Sequence, residues 1–195
     1  ALSKIDSLSK KYSKIDFVAQ NDIFNLYSMV DDCIQLGTIP FSILARHGFI
    51  AKTILLSFEQ ESILTSEEIN EIQSGVHTVA SELVDDMHSL QLGRISNSDF
   101  MEKYGHLRPG TYDIKSHRYD QMSSIFTGCI PNHQEENVKQ FELSDVQRQK
   151  INKLLEKDDF DSINADSLLK YIHDAIIGRE YGKFVFTRLL SDILE

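Results

Sequence analysis

The chain has 195 residues, of which 41% are hydrophobic and 26% are charged, and these values suit one soluble domain with a real core. The net charge of −10 excludes a general nucleic-acid binder, because such a protein needs a basic face to displace counterions. Two cysteines, Cys33 and Cys129, are too few for a disulfide framework, so both are expected to be buried thiols.

Helical spacing of the apolar residues predicts an all-α fold, a multi-helix bundle. Residues 1–15 are rich in Ser and Lys and predict a flexible lead-in, so residues 16–195 are expected to form a single helical domain. The first helix is predicted to end at Gly37. Its inner face is expected to contain Ile23, Tyr27, Val30 and Ile34.

A second helix is predicted from Pro40, since proline fits the first turn of a helix, and its broad apolar stripe predicts a central position. Thr65 with Glu68 forms a capping box that predicts a third helix closing at Gly93. Its apolar residues repeat at helical spacing: Ile69, Ile72, Val76, Val79, Leu83, Met87 and Leu90.

Three further helices complete the predicted bundle. Ser96 with Asp99 starts a short helix that runs to about Tyr104. Ser144 with Gln147 caps the next one, which has Val146, Ile151, Leu154 and Leu155 on its inner face. The last helix begins near Asn164. No alternating strand pattern is found.

Between the short helix and the C-terminal helices, residues 105–143 show no sustained period and form a long irregular loop. Its first part, from Tyr104 to Asp120, concentrates His, Arg, Asp and Tyr around a Pro-Gly turn. Arginine offers a planar fork for phosphate or carboxylate, and histidine can give or take a proton near neutral pH. The loop therefore predicts a site for an anion.

Two stretches resemble phosphoenolpyruvate synthase-like proteins, the dikinase-type phosphotransferases that include pyruvate phosphate dikinase and the rifampin phosphotransferases. One is Phe-Met-Glu-Lys-Tyr-Gly-His over residues 100–106, followed by Arg108-Pro109-Gly110, Asp113 and Arg118-Tyr119. The other is Arg-Glu-Tyr-Gly-Lys over residues 179–183, followed by Phe186-Thr187-Arg188. A weaker match is Ala45-Arg46 with Lys52. The resemblance covers residues 40–120 and 165–195.

The resemblance implies the central helical domain of such an enzyme, the part that holds the acceptor in the rifampin phosphotransferases. Members use an ATP-binding domain and a mobile domain with a phosphorylated histidine. The chain has neither a Gly-rich phosphate loop nor a histidine in a Gly-rich Thr-Ser-His context. ATP and Mg are therefore expected for the full-length parent, and no cofactor or resident metal for this fragment, which alone is expected to be inactive.

The candidate catalytic residues are His106 and Asp113. The candidate substrate-binding residues are Arg46, Arg108, Tyr112, Arg118 and Arg179. The expected partners are a small-molecule acceptor and the other domains of the parent, with no nucleic acid and no membrane. Thr111 stands where many relatives place Glu, and Leu107 replaces a more common small or basic residue, so the acceptor itself is not specified.

Structural explanations compete with these assignments. Asp113 could pair with Arg108 or Arg118 and simply hold the turn closed. Arg46 lies amid Ile43, Phe49 and Ile50, so it is expected to be drawn inward to a buried partner. Two further functions stay open: a non-catalytic docking module, and an all-α metal-dependent hydrolase that uses His77, Asp85 and His88.

Neither an apolar run of ~18 residues, the length that crosses a bilayer, nor a signal-peptide pattern is seen in the sequence. We therefore expect a cytoplasmic protein. Because the chain begins at Ala1 and not at Met, it is also expected to be a piece of a longer protein.

Overall fold

A computed structural model describes residues 1–12, 23–109, 113, 115–122, 141–160 and 162–194. These ranges form an all-α, multi-helix fold, as predicted, and contain no strand. The helices are α1 Leu2–Tyr12, α2 Ile23–Asp32, α3 Ile39–Gln60, α4 Ser66–Ser74, α5 Val79–Gln91, α6 Asn97–Tyr104, α7 Asp145–Lys157 and α8 Ala165–Ile193. A π-helix, Cys33–Thr38, joins α2 to α3, and Tyr119–Gln121 form a 3-10 turn.

The chain divides into two compact units, where the sequence predicts one domain over residues 16–195. The first unit consists of Ala1–Phe41, Val79–Glu136 and Tyr181–Glu195. The second consists of Ser42–Thr78 and Asn137–Glu180. Two of the boundaries fall within α3 and α8, so each of these helices contributes residues to both units.

In the first unit, the N-terminal residues are part of the core. The sequence predicts a flexible lead-in over residues 1–15, but residues 2–12 form α1, and Ile5 and Leu8 are buried. Lys10 and Lys11 lie in its last turn, where positive charge complements the helix dipole. Residues 13–22, within which the predicted helical domain begins, lie outside the described residues.

The second unit has a continuous apolar core built from α3, α4, α7 and α8. Its buried residues include Leu55, Ile72, Ile151 and Ile172, each at most 1% exposed. The predicted capping boxes at Thr65 and Ser144 are both formed. Each cap satisfies backbone N–H groups that the first helical turn leaves without partners.

Gly37 does not end the preceding helix as predicted. The backbone stays helical through a π-helix, in which the Ile39 N–H donates to the Ile34 carbonyl five residues earlier. Pro40 accounts for this widening, because its ring has no N–H and would clash with the carbonyl four residues earlier in an α-helix. Gly37 is buried instead, and a Cβ there would lie 3.0 Å from Phe186 Cβ.

The expected inner face of the first helix faces outward on α2. Tyr27, Val30 and Ile34 are 78%, 38% and 45% exposed, and Phe24 is 78% exposed. On α3, Ile43 and Ile50 are exposed as well, whereas Leu44, Ala51, Leu55 and Phe58 are buried, so the apolar stripe that packs inward is narrower than predicted. Val146 on α7, also predicted to face inward, is 64% exposed.

The predicted third helix is two helices. α4 ends at Ser74, and α5 begins at Val79 after a short non-helical connection. Ile69, Ile72 and Val76 are buried as predicted, whereas no residue of α5 is fully buried. Gly93 adopts a left-handed φ of +69°, which fits its predicted role in closing the helical run.

The continuous helical stretch Phe24–Gln60 contains a window of mean hydropathy 1.3 and is, by length and composition, apolar enough to cross a membrane. This differs from the sequence expectation, which found no apolar run of that kind. Core helices of soluble proteins and signal sequences meet the same criterion. The stretch therefore assigns no location to the protein.

Candidate functional site

The segment after α6 folds back on itself in the first unit. The Tyr119 N–H donates to the Leu107 carbonyl at 2.8 Å, and the Asp120 N–H donates to the Gly105 carbonyl at 3.1 Å. Gly105 allows this close approach, because a Cβ there would meet the Met101 carbonyl oxygen and lie 3.0 Å from Asp120 Cβ. We call residues 105–109 and 115–122 the return segment.

Arg118 joins the return segment to α8. Its Nε and Nη2 donate to the two carboxylate oxygens of Asp120 at 3.1 and 2.7 Å, and its Nη1 donates to Asp192 Oδ1 at 2.9 Å. The side chains of Arg118 and Asp192 are each 14% exposed. Burial raises the pKa of the Asp192 carboxyl, although the charges of Arg118 and Arg188 oppose that rise.

Two other arginines bond to the same region. Arg108 donates through Nη1 to the Ser116 carbonyl and through Nη2 to Ser191 Oγ at 3.5 Å. The buried Ser191 hydroxyl in turn donates to the His106 carbonyl at 3.3 Å. Arg188 Nη2 donates to the Glu102 carbonyl at 2.9 Å. Three guanidinium groups therefore hold the return segment and α6 against α8.

His106 lies inside this arrangement and is 5% exposed. Its ring packs edge-on to Phe184 with 4.9 Å between the ring centroids, and neither ring nitrogen makes a hydrogen bond of ordinary geometry. The pKa of the imidazole is lowered to about 3, chiefly by burial and also by the charges of Arg188 and Arg118, while the Phe184 backbone opposes the shift. The ring is therefore neutral and enclosed at neutral pH.

Asp113 does not close the turn by pairing with arginine in the way the sequence suggested. It is exposed, and its Oδ1 accepts the N–H of Lys115 at 3.0 Å, whereas the carboxylates that bind Arg118 are Asp120 and Asp192. Tyr112 lies outside the described residues. The expected pairing of Asp113 with Arg108 or Arg118 is therefore wrong, because other carboxylates bind Arg118.

Arg46 and Arg179 belong to the second unit. Arg46 is exposed, so the expectation of a buried partner is wrong. The Arg179 side chain crosses α3, where its guanidinium carbon lies 5.5 Å from the Phe49 ring centroid. A Cβ at Gly48 would lie 2.8 Å from Arg179 Cδ, so glycine makes room for this contact. The Arg179 Nε also lies 3.8 Å from Glu180 Oε1.

Sequence reasoning missed the α8 residues that complete the first-unit site. Phe184, Arg188, Ser191 and Asp192 recur at helical spacing on one side of α8. A polar residue repeating on an otherwise apolar face was the available signal, since such residues must find partners when buried. The sequence indicates Arg188 only as part of the motif that begins at Arg179.

No group of three or more His, Cys, Asp or Glu side chains that could hold a metal occurs within the described ranges. His77, Asp85 and His88, the residues of the metal-hydrolase alternative, are all described and form no such group. Cys33 is a buried free thiol as expected, and Cys129 lies outside the described residues.

Comparisons with protein-family models, curated proteins and solved structures find no match to this chain.

Proposed function

We propose that the chain is the acceptor-binding helical domain of an ATP-dependent phosphotransferase that works through a phosphohistidine, as phosphoenolpyruvate synthase does. The observation that supports this best is the grouping of Arg108, Arg118 and Arg188 around the return segment of an otherwise acidic protein. Phosphoryl transfer relies mainly on positioning and charge neutralisation, which arginine supplies. The resemblance of residues 100–119 to this family supports the same proposal.

In the proposed reaction, the phosphoryl group leaves the histidine nitrogen of a mobile domain and forms a bond to an acceptor hydroxyl. Arg108 and Arg118 neutralise its charge, and a base takes the hydroxyl proton. Of the two candidates, Asp113 is exposed to solvent, whereas His106 is enclosed. Asp113 is therefore the stronger candidate for the base in this conformation.

Binding of an anionic probe tests the proposal directly. Phosphoenolpyruvate or inorganic phosphate, titrated to millimolar concentrations at constant ionic strength, is expected to shift the amide signals of Leu107, Ser116 and Tyr119 in NMR spectra of the chain. Arg108→Ala is expected to weaken this binding about tenfold, as loss of one strong charged contact does. Arg148→Ala, a change to an exposed arginine of the second unit, is the matched control.

Shifts of the same size with sodium chloride alone, or unchanged affinity in Arg108→Ala, would contradict the proposal. Arg108 is better suited to this test than Arg118, because Arg118 binds the largely buried carboxylate of Asp192. In the full-length parent, Arg108→Ala is expected to remove transfer while the melting temperature barely changes.

A non-catalytic docking module is the second candidate. The exposed apolar face of α2, with Phe24 and Tyr27 both 78% exposed, is the observation that favours it. Under this alternative the return segment is purely structural. Arg108→Ala then lowers the stability of the parent, and any loss of activity follows the loss of stability.

A further inference from the structure

The closed return segment encloses a histidine whose surroundings do not accommodate a second ring proton. His106 is 95% buried, since its exposed fraction is 5%, and both ring nitrogens lack hydrogen-bond partners. Burying a neutral ring there costs only its unmade hydrogen bonds. Burying an imidazolium costs more, because the cation also loses its hydration without gaining an anion as partner. Buried orphaned groups of this kind are rare and call for an explanation.

The charged groups on the elements packed around His106 disfavour its protonation further. Arg118 of the return segment and Arg188 of α8 both disfavour the protonated ring. Asp120 and Asp192 are engaged by Arg118, and the Arg108 guanidinium donates to Ser116 and Ser191. On α6, the Tyr104 hydroxyl donates to Asp86 of α5, which Lys103 also binds. No carboxylate contacts the His106 ring within the described residues.

We propose that His106 is an acid-sensitive latch, whose protonation releases the return segment from α8 while the second unit remains folded. Opening places the imidazolium in water and away from Arg188. It also separates Arg108 from Ser191 and Arg118 from Asp192, while Arg118 stays bound to Asp120 within the return segment. The proposal requires no particular reaction and does not rest on the proposed function.

The direction of the pH effect follows from linkage. The His106 pKa is lowered to about 3 in the closed state and returns to its ordinary value near 6.5 when the ring is exposed. The closed state is therefore fully favoured above pH 6.5 and loses about tenfold in population ratio per pH unit between 6.5 and 3. Asp192 acts in the opposite direction, because a raised carboxyl pKa favours the closed state as the pH falls.

Amide hydrogen exchange tests the latch. The Tyr119 and Asp120 amides donate within the return segment, so their protection, corrected for intrinsic exchange, reports its closure. Between pH 6 and pH 4, protection is expected to fall about tenfold per pH unit in the native chain. The Arg148 amide, which donates to the Ser144 carbonyl in the second unit, is the internal reference.

His106→Phe, an apolar ring of similar size, is expected to abolish this pH dependence, and His106→Gln serves if the first variant does not fold. His47→Gln, which replaces an exposed histidine of the second unit, is expected to keep it. Because burial also lowers the pKa of His173 in the second unit, exchange at Arg148 measures any acid effect of that histidine separately.

Three results would overturn the latch. They are pH-independent protection of Tyr119 and Asp120, the same slope in His106→Phe, and a parallel loss at Arg148 that His106→Phe also removes. Neither phosphate nor phosphoenolpyruvate is present in this experiment, so its failure leaves the phosphate-binding test unaffected.

Discussion

Arg118 makes three hydrogen bonds to two carboxylates, and its side chain is largely buried between them. Arg118→Ala leaves Asp192, whose side chain is 14% exposed, without its cation. Because breaking a buried ion pair leaves an uncompensated charge, the free energy of unfolding is expected to fall by about 2–4 kcal/mol. Urea unfolding measures this loss.

The matched control is Arg148→Ala, which removes an arginine that also binds two carboxylates but in a more exposed setting. Its unfolding midpoint is expected to change little, since exposed ion pairs contribute little to stability. Equal losses in both variants would mean that Arg118 and Asp192 are not enclosed in solution.

Tyr104 is expected to make the stability of the first unit fall at alkaline pH. The pKa of its phenol is raised to about 12, chiefly by burial; the hydrogen bond to Asp86 at 2.8 Å also raises it, and Lys103 opposes the rise. A pKa raised on folding stabilises the folded state below pH 10, and this contribution is lost as the pH rises from 10 to 12. Unfolding measured against pH is expected to show a larger loss in the native chain than in Tyr104→Phe; part of the loss remains because the pKa values of Tyr12 and Tyr181 in the same unit are raised as well. Tyr27→Phe on the exposed face is the control.

Among the elements, the end of α6 depends on one glycine. Gly105→Ala places a methyl group against the Met101 carbonyl and Asp120, neither of which can move without breaking the return segment. The expected loss is about 3 kcal/mol, as for other overpacked positions. Gly93→Ala, where open space surrounds a φ of +69°, is expected to cost only about 1 kcal/mol from backbone strain. Thermal melts of the two variants compare these costs, and a smaller loss at Gly105 would contradict the contact with Asp120.

The face of α2 gives a prediction about packing. Tyr27→Ser is expected to change the free energy of unfolding by less than about 0.5 kcal/mol, because the side chain is 78% exposed. Leu8→Ala, at a side chain 1% exposed, is expected to cost about 2–5 kcal/mol. Urea unfolding compares the two, and sedimentation velocity monitors self-association. A loss above about 2 kcal/mol in Tyr27→Ser would show that something covers this face in solution.

For the whole molecule, the sequence offers no Gly-rich loop between a strand and a helix that could cradle ATP phosphates. The purified chain, incubated with ATP and Mg²⁺, is therefore expected to release no more phosphate than buffer does. The control is Arg108→Ala, which should give the same background. Hydrolysis that depends on Arg108 would show that this chain is an enzyme by itself.

Local signals in the sequence predicted structure well. The caps at Thr65, Ser96 and Ser144 form as expected, because each depends on a side chain and a backbone group only three residues apart. The all-α class followed from periodicity in the same way. The clustering of His106, Arg108 and Arg118 was also foreseeable, since all three belong to one short polar stretch of the sequence.

What depends on distant residues could not be predicted. Asp192, the partner of Arg118, lies 74 positions away in the sequence, and no local pattern joins them. Periodicity showed that one side of α2 is apolar but could not show what covers it, so Tyr27 was expected inside. The enclosure of His106 likewise comes from Phe184 on α8, whose placement is a property of the folded first unit.

The π-helix at Cys33–Thr38 amounts to one extra residue in an otherwise regular helical path. Each residue of an α-helix turns the next by about 100°, so removing one residue here would rotate α2 by roughly that angle relative to Pro40. Cys33 would then leave the interior, and the face that carries Tyr27 would no longer be the outward one. A change of one residue in chain length thus decides which side of α2 meets the solvent.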